Sequence, residues 1–362
     1  MSVALSTAAP TYRQKVGVLT FHRCINYGSY WQARCLVDGL RALGYDAELL
    51  EHVSQRVNRA EWRCALQPLL PQRTPPGDYP LYSRKTRRFF EAFEDLPTSH
   101  PFPLEDPGRL DTDYDVVVVG SDEVWNLSHP WYGGYPLFYG EGLHARRLVS
   151  YAASFGSQAQ GLEPYWAERL GNFSQISIRD RNSQQIVAEA THRMPELVLD
   201  PCLLFPPEVS ADGLGEPYLA IYGHSFPEWF IEAVRSFAWE RGIETISIGY
   251  RNNWTDRQWL TAGPLEFASF MAGAKAVATN FFHGCVFALL NNKPFACAPS
   301  DYRYNKVRDL TAIVGAAAHL TSPKTPPSRY AKLLGEPLDP AVERTIGALR
   351  KRSRRYLEGV LQ

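Results

Sequence analysis

The sequence predicts an α/β protein with two βαβ domains, and three observations support this fold class. At 362 residues, the chain is longer than the roughly 250 to 300 residues that one hydrophobic core usually serves. Apolar runs of strand length alternate with segments of helical periodicity in two separate series. Most of these runs end in polar or glycine-containing loops, which is typical of the carboxyl edge of a parallel sheet, where open α/β sheets bind ligands.

The composition excludes several classes of partner. The 38 basic residues balance the 38 acidic residues, so no overall charge attracts the protein to nucleic acid or to an acidic membrane. The six cysteines form no CxxC pair and no group with histidines, which predicts reduced thiols and no metal site. We find neither a signal peptide nor the roughly 18 consecutive apolar residues of an integral membrane segment, and therefore expect a cytoplasmic protein. Homo-oligomer formation stays open.

The first series begins with a βαβ unit. Its predicted elements are a strand at 16–21, a helix at 30–43 and a strand at 47–50. The loop before the helix is expected at the sheet edge, where Asn26, Tyr27 and Gly28 are candidate substrate contacts. Asn26 and Gly28 are equally compatible with a purely structural role in the turn.

Residues 53–110 interrupt this pattern and predict a helical insertion. Prolines break the chain repeatedly, and residues 83–93 predict a basic, aromatic helix. Its basic residues most simply form a solvated helix face, and an anionic acceptor or a partner surface is the alternative. These residues are Arg84, Lys85, Arg87 and Arg88.

Three further apolar runs continue the first series, and polar residues follow each of them. The predicted strands are 115–119, 148–151 and 175–178, and a run at 197–199 closes this half. The candidate site residues that follow them are Ser121, Asp122, Asn126, Ser154, Arg179 and Asp180. Two structural alternatives stand beside these roles, because Asp122 suits a helix N-cap and Arg179 suits a local ion pair with Asp180.

The second series predicts another βαβ domain and a final basic helix. Its strands are predicted at 218–222, 245–248, 276–278 and 295–298, its helices at 227–241, 265–272 and 284–291, and the final helix at 339–361. We therefore expect an N-terminal domain over residues 1–205, a C-terminal domain over 206–335, and a C-terminal segment over 336–362 that packs back.

One histidine lies in the turn between a predicted buried strand and a predicted helix. This residue, His283, would have its ring near the free N–H groups of the helix, where anions bind and a neutral imidazole is favoured. It is a candidate general acid or base beside a carboxylate or phosphate, with Asn280 and Gly284 as neighbouring substrate contacts. The alternative is a turn histidine that only binds a backbone carbonyl.

A series of short motifs resembles the polysaccharide pyruvyl transferase family in content and order. The motifs are Leu19-Thr20-Phe21-His22, Asn26-Tyr27-Gly28, Val119-Gly120-Ser121-Asp122-Glu123-Val124-Trp125-Asn126, Ser150-Tyr151-Ala152-Ala153-Ser154-Phe155-Gly156, Ser177-Ile178-Arg179-Asp180, Asp200-Pro201 and Phe282-His283-Gly284. Each motif alone is weak, but together they cover roughly residues 15–315.

This resemblance implies two Rossmann-like domains that face one another across a cleft, as in type B glycosyltransferases. It implies transfer of pyruvate from phosphoenolpyruvate to two hydroxyls of a sugar or glycan-lipid precursor, leaving a pyruvate ketal and free phosphate. Phosphoenolpyruvate is then a donor substrate, and no cofactor is expected. The first domain, with its insertion, would hold the acceptor and the second domain the donor.

The resemblance also implies catalytic roles for His283, Arg179 and Asp122, but the chain departs from the family at one position. Many members carry Arg-Leu-His, and here Phe281 stands in place of the arginine that contacts the donor. Phosphoenolpyruvate carries a carboxylate and a phosphate, which cationic groups normally bind. Either another cation compensates, with Arg303, Lys306 and Arg308 as candidates, or the donor differs.

Two other functions stay open on the sequence. A nucleotide-sugar glycosyltransferase would share the two-domain cleft, and Glu266 could contact the donor ribose. A degenerate, non-catalytic family member would explain Phe281, although the retention of His283 and Arg179 argues against it.

Overall fold

The protein, described by a computed structural model over residues 13–110, 113–158, 161–210 and 215–362, is built on two parallel sheets. Within these ranges the strands are β1 (Lys15–Leu19), β2 (Asp46–Leu49), β3 (His52–Val53), β4 (Phe102–Pro103), β5 (Tyr114–Val119), β6 (Ala145–Ser150), β7 (Ser177–Ile178), β8 (Glu196–Leu197), β9 (Tyr218–Tyr222), β10 (Glu244–Ile248), β11 (Arg257–Trp259), β12 (Ala276–Thr279) and β13 (Phe295–Cys297). The α-helices there are α1 (Tyr27–Ala42), α2 (Gln55–Leu66), α3 (Tyr79–Glu94), α4 (Pro164–Arg169), α5 (Arg181–Thr191), α6 (Pro201–Leu204), α7 (Glu228–Arg241), α8 (Pro264–Gly273), α9 (Phe282–Leu290), α10 (Asp301–Ile313), α11 (Pro327–Gly335) and α12 (Pro340–Leu361).

The first sheet has the order β2-β1-β5-β6, with all neighbours parallel. The central strand β5 has the burial that its valine run predicts, since Val116 through Val119 are fully buried. The strand predicted at 175–178 is shorter, because β7 pairs with β8. Isolated bridges link this segment to the first sheet, from Gln175 to Val149 of β6 and from Ile178 to Ala153 just after β6. The polar loops of this half therefore share one sheet edge.

The second sheet has the order β11-β10-β9-β12-β13 and is also parallel throughout. Four of its strands are those that the sequence predicts. Helix α9 begins at Phe282, two residues before its predicted start, so His283 lies in the first helical turn. No helix in the described part of the chain is both long enough and apolar enough to cross a lipid bilayer.

The two sheets share one continuous apolar core. Val116 of the first sheet and Ala220 of the second belong to the same cluster of buried side chains. Tyr27 of α1 stacks on Phe267 of α8 with ring centroids 4.3 Å apart. The last helix, α12, packs on the first half, where Ser353 Oγ accepts a hydrogen bond of 2.9 Å from the backbone N–H of Leu199.

The helical insertion contacts both halves of the molecule. From α3, Arg88 Nη1 bonds a carboxylate oxygen of Glu266 on α8 at 2.5 Å. Arg84 and Arg87 are exposed, as a solvated helix face requires. Lys85 is only 4% exposed, so this interpretation of the basic run is wrong for that residue, which the insertion buries between the two halves.

Candidate active site

A cavity of about 420 Å³ lies between the carboxyl ends of the two sheets. Loops after β1, β5 and β7 line it from the first half, and the segments after β9, β10 and β12 line it from the second. Helices α2, α3 and α10 complete the wall. The residues that line the cavity include Asn26, Ser29, Glu61, Lys85, Asp122, Glu123, Arg179, His224, Tyr250, Phe281, Phe282, His283, Tyr302, Arg303 and Lys306.

His283 and Asp200 form a buried pair at the floor of this cavity. The Nε2 atom of His283 lies 3.7 Å from Oδ2 of Asp200 and has no hydrogen-bond partner among the described residues. Burial alone would raise the pKa of Asp200, but His283 and Arg179 outweigh it and lower that pKa to about 2. Asp200 is therefore a carboxylate at neutral pH, and it places a negative charge beside the imidazole.

Arg179 joins this pair to the carboxylate of Asp122. Its Nη1 donates to Oδ2 of Asp200 at 3.1 Å, and its Nη2 donates to Oδ1 of Asp122 at 3.0 Å. The guanidinium also lies 4.7 Å from the ring centroid of Phe282. Because the side chain is only 2% exposed and holds two carboxylates, the ion pair of Arg179 is formed with Asp122 and Asp200 and not with Asp180.

Asp122 presents a charged carboxylate to the cavity from a strained turn. Its φ angle of +73° lies in the left-handed region, which is uncommon outside glycine and often marks functional sites. Burial opposes ionisation, but Arg179, His283 and Lys306 together lower the pKa of Asp122. Oδ2 accepts a hydrogen bond of 2.9 Å from Ser29 Oγ, and the residues that follow turn without entering a helix. The alternative role as a helix cap is thus wrong.

Of the three cations proposed to replace the missing arginine, two already have carboxylate partners. Lys306 contacts Glu123, and although burial opposes it, this contact lowers the pKa of Glu123 to about 2. Arg308 bonds its neighbour Asp309 at 2.9 Å. Arg303 instead stacks on the ring of Phe281, with its guanidinium carbon 4.4 Å from the ring centroid. Within the described ranges, no carboxylate pairs with Arg303.

The remaining candidate residues lie behind the cavity wall. Five hold neighbouring backbone or side chains, and Gly284 packs against Thr279. The contacts are Tyr27 Oη to the Ala262 carbonyl at 2.7 Å, Ser121 Oγ to Gln32, Asn126 Nδ2 to Glu123 at 2.8 Å, Ser154 Oγ to Asp180 at 2.7 Å, and Asn280 Nδ2 to the His224 carbonyl at 2.7 Å. Asp180 also caps α5. These side chains support the site and do not line it.

Two residues that the sequence analysis did not place in the site are central to it. Asp200 lies in the Asp200-Pro201 motif, and its position directly after the predicted apolar run at 197–199 could have marked it as a site residue. Glu123 follows Asp122, and only the structure shows that it neutralises Lys306. Asp200, Cys202 and His283 each offer one ligand atom within 4.8 Å of the others. However, Arg179 already bonds Asp200, and burial raises the pKa of the Cys202 thiol. This donor set is therefore a poor match for a metal ion.

Gly28 leaves the space that the His283 ring occupies. A Cβ atom at this position would lie 2.0 Å from Nδ1 of His283. We therefore expect Gly28→Ala to displace the imidazole and to lower turnover at least about tenfold, since small misplacements of reacting groups are costly. Gly347→Ala is the control, because open space surrounds that helical glycine and activity should not change. Full activity of the Gly28 variant would show that the ring position is unimportant.

Comparison with known proteins places the chain in a family. A family model described as polysaccharide pyruvyl transferase matches residues 26–302. The MnaA–UDP co-structure from S. aureus is 13% identical, with a TM-score of 0.50 over 92% of this chain and 90% of that chain. The glycosyltransferase SnogD from Streptomyces nogalater is 14% identical, with a TM-score of 0.43 over 94% of this chain and 95% of that chain. No curated protein sequence matches.

The likeness to the MnaA structure agrees with the two parallel sheets. The fold is the type B glycosyltransferase-like arrangement of two Rossmann-like domains. The family model covers more than half of the chain and includes Asn26, Asp122, Arg179, Asp200 and His283. The protein therefore belongs to the polysaccharide pyruvyl transferase family.

Proposed function

We propose that the protein transfers pyruvate from phosphoenolpyruvate to two hydroxyls of a sugar or glycan precursor, forming a ketal and releasing phosphate. The observation that carries this proposal is one cavity that holds an Asp–His pair, a second charged carboxylate and an unpaired arginine. These groups are His283, which has Asp200 behind it, Asp122, and Arg303, which forms no ion pair within the described residues and donates to Ser300 Oγ at 3.1 Å. An acid, a base and a phosphate-binding cation are what the ketal reaction needs.

The reaction changes the bonds at the central carbon of the donor in two successive steps. His283, acting in its protonated form, gives a proton to the methylene carbon and makes the central carbon electrophilic. The first sugar hydroxyl adds to that carbon and loses its proton to Asp122. The second hydroxyl then adds as the carbon–oxygen bond to phosphate breaks, and its proton leaves with the phosphate. His283 recovers a proton from solvent, and Asp122 releases one.

Arg303 takes the place of the family arginine in binding the donor. Phe281 supplies the face on which its guanidinium stacks, so the cation reaches the cavity from α10 instead of α9. Arg303→Gln should raise the dissociation constant of phosphoenolpyruvate at least about tenfold by calorimetry, because a charge-assisted bond to an anion is lost. Arg308→Gln is the matched control on the same helix and should bind like the wild type. Equal binding by both variants would exclude Arg303 from the donor site.

A donor assay separates this function from its alternatives. The protein is incubated with a panel of glycan precursors and either phosphoenolpyruvate or nucleotide sugars. We expect acceptor-dependent phosphate release from phosphoenolpyruvate, a donor that places the reaction in the cytoplasm. Acceptor-dependent nucleotide release would overturn the proposal. Glu266, the carboxylate suggested for contact with a nucleotide ribose, argues against that outcome. It already binds Arg88 and accepts a hydrogen bond of 2.8 Å from the backbone N–H of Gly263.

A further inference from the structure

Three basic side chains from separate parts of the chain surround two aromatic rings at one end of the cavity. Lys85 Nζ lies 4.5 Å from the ring centroid of Tyr250, and the ring of His224 lies 5.2 Å from that of Tyr250. The His224 ring is also 5.4 Å from that of Phe281, on which Arg303 stacks. We call Lys85, His224 and Arg303 the basic triad.

The triad lacks a neutralising carboxylate within the described ranges. Lys85 Nζ donates to the carbonyl of Gly249 at 2.9 Å and forms no ion pair there. The acidic residue on the neighbouring helix α2 is Glu61, and burial raises its pKa to about 7. The titratable groups whose rings pack against the Lys85 ammonium are Tyr27 from α1 and Tyr250 at the end of β10. The carboxylates of Asp122 and Glu123 share the cavity with Lys85 and pair with Arg179 and Lys306. The other titratable or charged groups of the cavity are Cys24, Glu61, Cys64, His129, Tyr222, His224, His283, Tyr302 and Arg303.

Burying basic groups together without a counter-ion raises the free energy of their charged forms, and this applies to the triad in the protein without ligand. Burial lowers the pKa of Lys85 to about 7. Burial, Arg303 and Lys85 together lower the pKa of His224 to about 4. A dianion placed among these groups would offset the cost, because it supplies the missing charge.

We infer that the basic triad binds a phosphoryl group, and that Lys85 from the insertion is a donor-binding residue. The identification of this group as the phosphate of phosphoenolpyruvate rests on the proposed function. Three basic side chains that line one cavity from three segments suit the three oxygens of a phosphoryl group better than the two of a carboxylate. The insertion, assigned above to the acceptor side, thus reaches the donor as well.

Binding at this site should be linked to proton uptake. Lys85 is largely neutral in the empty cavity at pH 8 and becomes charged beside a phosphate, so the complex holds close to one more proton. Because binding takes up a proton, the affinity for a phosphate-containing ligand should fall as the pH rises from 7 to 9, by at most about tenfold per pH unit. A purely structural lysine would not produce this dependence.

The test is calorimetry at pH 8 in two buffers of different ionisation enthalpy, with inorganic phosphate, phosphoenolpyruvate and pyruvate as probes. Lys85→Met should weaken phosphate and phosphoenolpyruvate at least about tenfold and abolish the proton uptake, while pyruvate binding stays as in the wild type. Arg87→Met is the control, since it removes an exposed charge from the same helix. His224→Gln, which keeps Lys85 in place, should also weaken the binding of inorganic phosphate and of phosphoenolpyruvate.

The outcomes separate the inference from the function on which it rests. Equal binding of phosphoenolpyruvate to the wild type and to both triad variants would overturn the inference and leave the function standing. Lys85-dependent binding of inorganic phosphate without binding of phosphoenolpyruvate would support the phosphoryl site and overturn the donor. A triad that binds pyruvate as strongly as phosphate would overturn the preference for a phosphoryl group.

Discussion

Replacing His283 by glutamine should lower acceptor-dependent phosphate release by about a hundredfold or more, the scale expected for a general acid or base. The reason is that the glutamine amide cannot take up and release a proton as an imidazole can. The fold should persist, because Nε2 of His283 makes no hydrogen bond within the described structure. Steady-state turnover and the midpoint of thermal unfolding measure the two effects separately.

The exposed residue His100 provides the control for this substitution. His100→Gln makes the same chemical change away from the cavity and should have wild-type turnover. If His283→Gln keeps wild-type turnover with a correctly identified donor and acceptor, His283 has no part in the proton transfers. A loss of turnover together with a collapse of the unfolding midpoint would indicate a structural histidine.

Replacing Arg179 by methionine should lower the free energy of unfolding at pH 7 by about 3 to 5 kcal/mol, as removal of one partner from a buried ionic network usually does. The variant leaves Asp122 and Asp200 buried without their cation. Both carboxylates have lowered pKa values in the folded protein, so the stability they contribute is present above the unfolded value near 4. It is lost as the pH falls through their folded values, and the difference between variant and wild type should shrink in acid.

Two further variants check this explanation by urea denaturation. Arg354→Met breaks an exposed pair with Glu358 and should cost at most about 1 kcal/mol. Adding Asp200→Asn to Arg179→Met removes one unpaired charge and should restore part of the stability. Wild-type stability of Arg179→Met, with only weaker donor binding, would instead mean that the guanidinium binds the donor.

The sequence was informative where local pattern and sheet geometry agree. A run such as Val116–Val119 has few alternatives to a buried parallel strand, and parallel strands bring their following loops to one edge. These two facts place Asp122 at the carboxyl edge of the first sheet and His283 at that of the second. That the two edges share one cavity was an implication of the family resemblance. The short strand β11 has no such pattern, because its polar residues lie at the edge of the sheet.

The parts that the sequence could not predict depend on contacts between distant segments. Lys85 belongs to a basic run that is exposed at Arg84 and Arg87, and only the packing of α3 against the second half buries its ammonium group. The engagement of Arg179 likewise depends on Asp200, which is 21 residues away along the chain. Neither contact leaves a periodic signal in the sequence.

The ion pairs between the insertion and the second half limit which segments can be exchanged between this protein and a relative. Arg88 binds Glu266, and Asp78, just before α3, binds Arg251 after β10. A chimaera that takes its C-terminal half from a relative separates these partners and leaves charged groups unmatched at the joint. The unit of exchange is therefore the insertion together with the second half, although residues 111–205 of the first half lie between them in the chain.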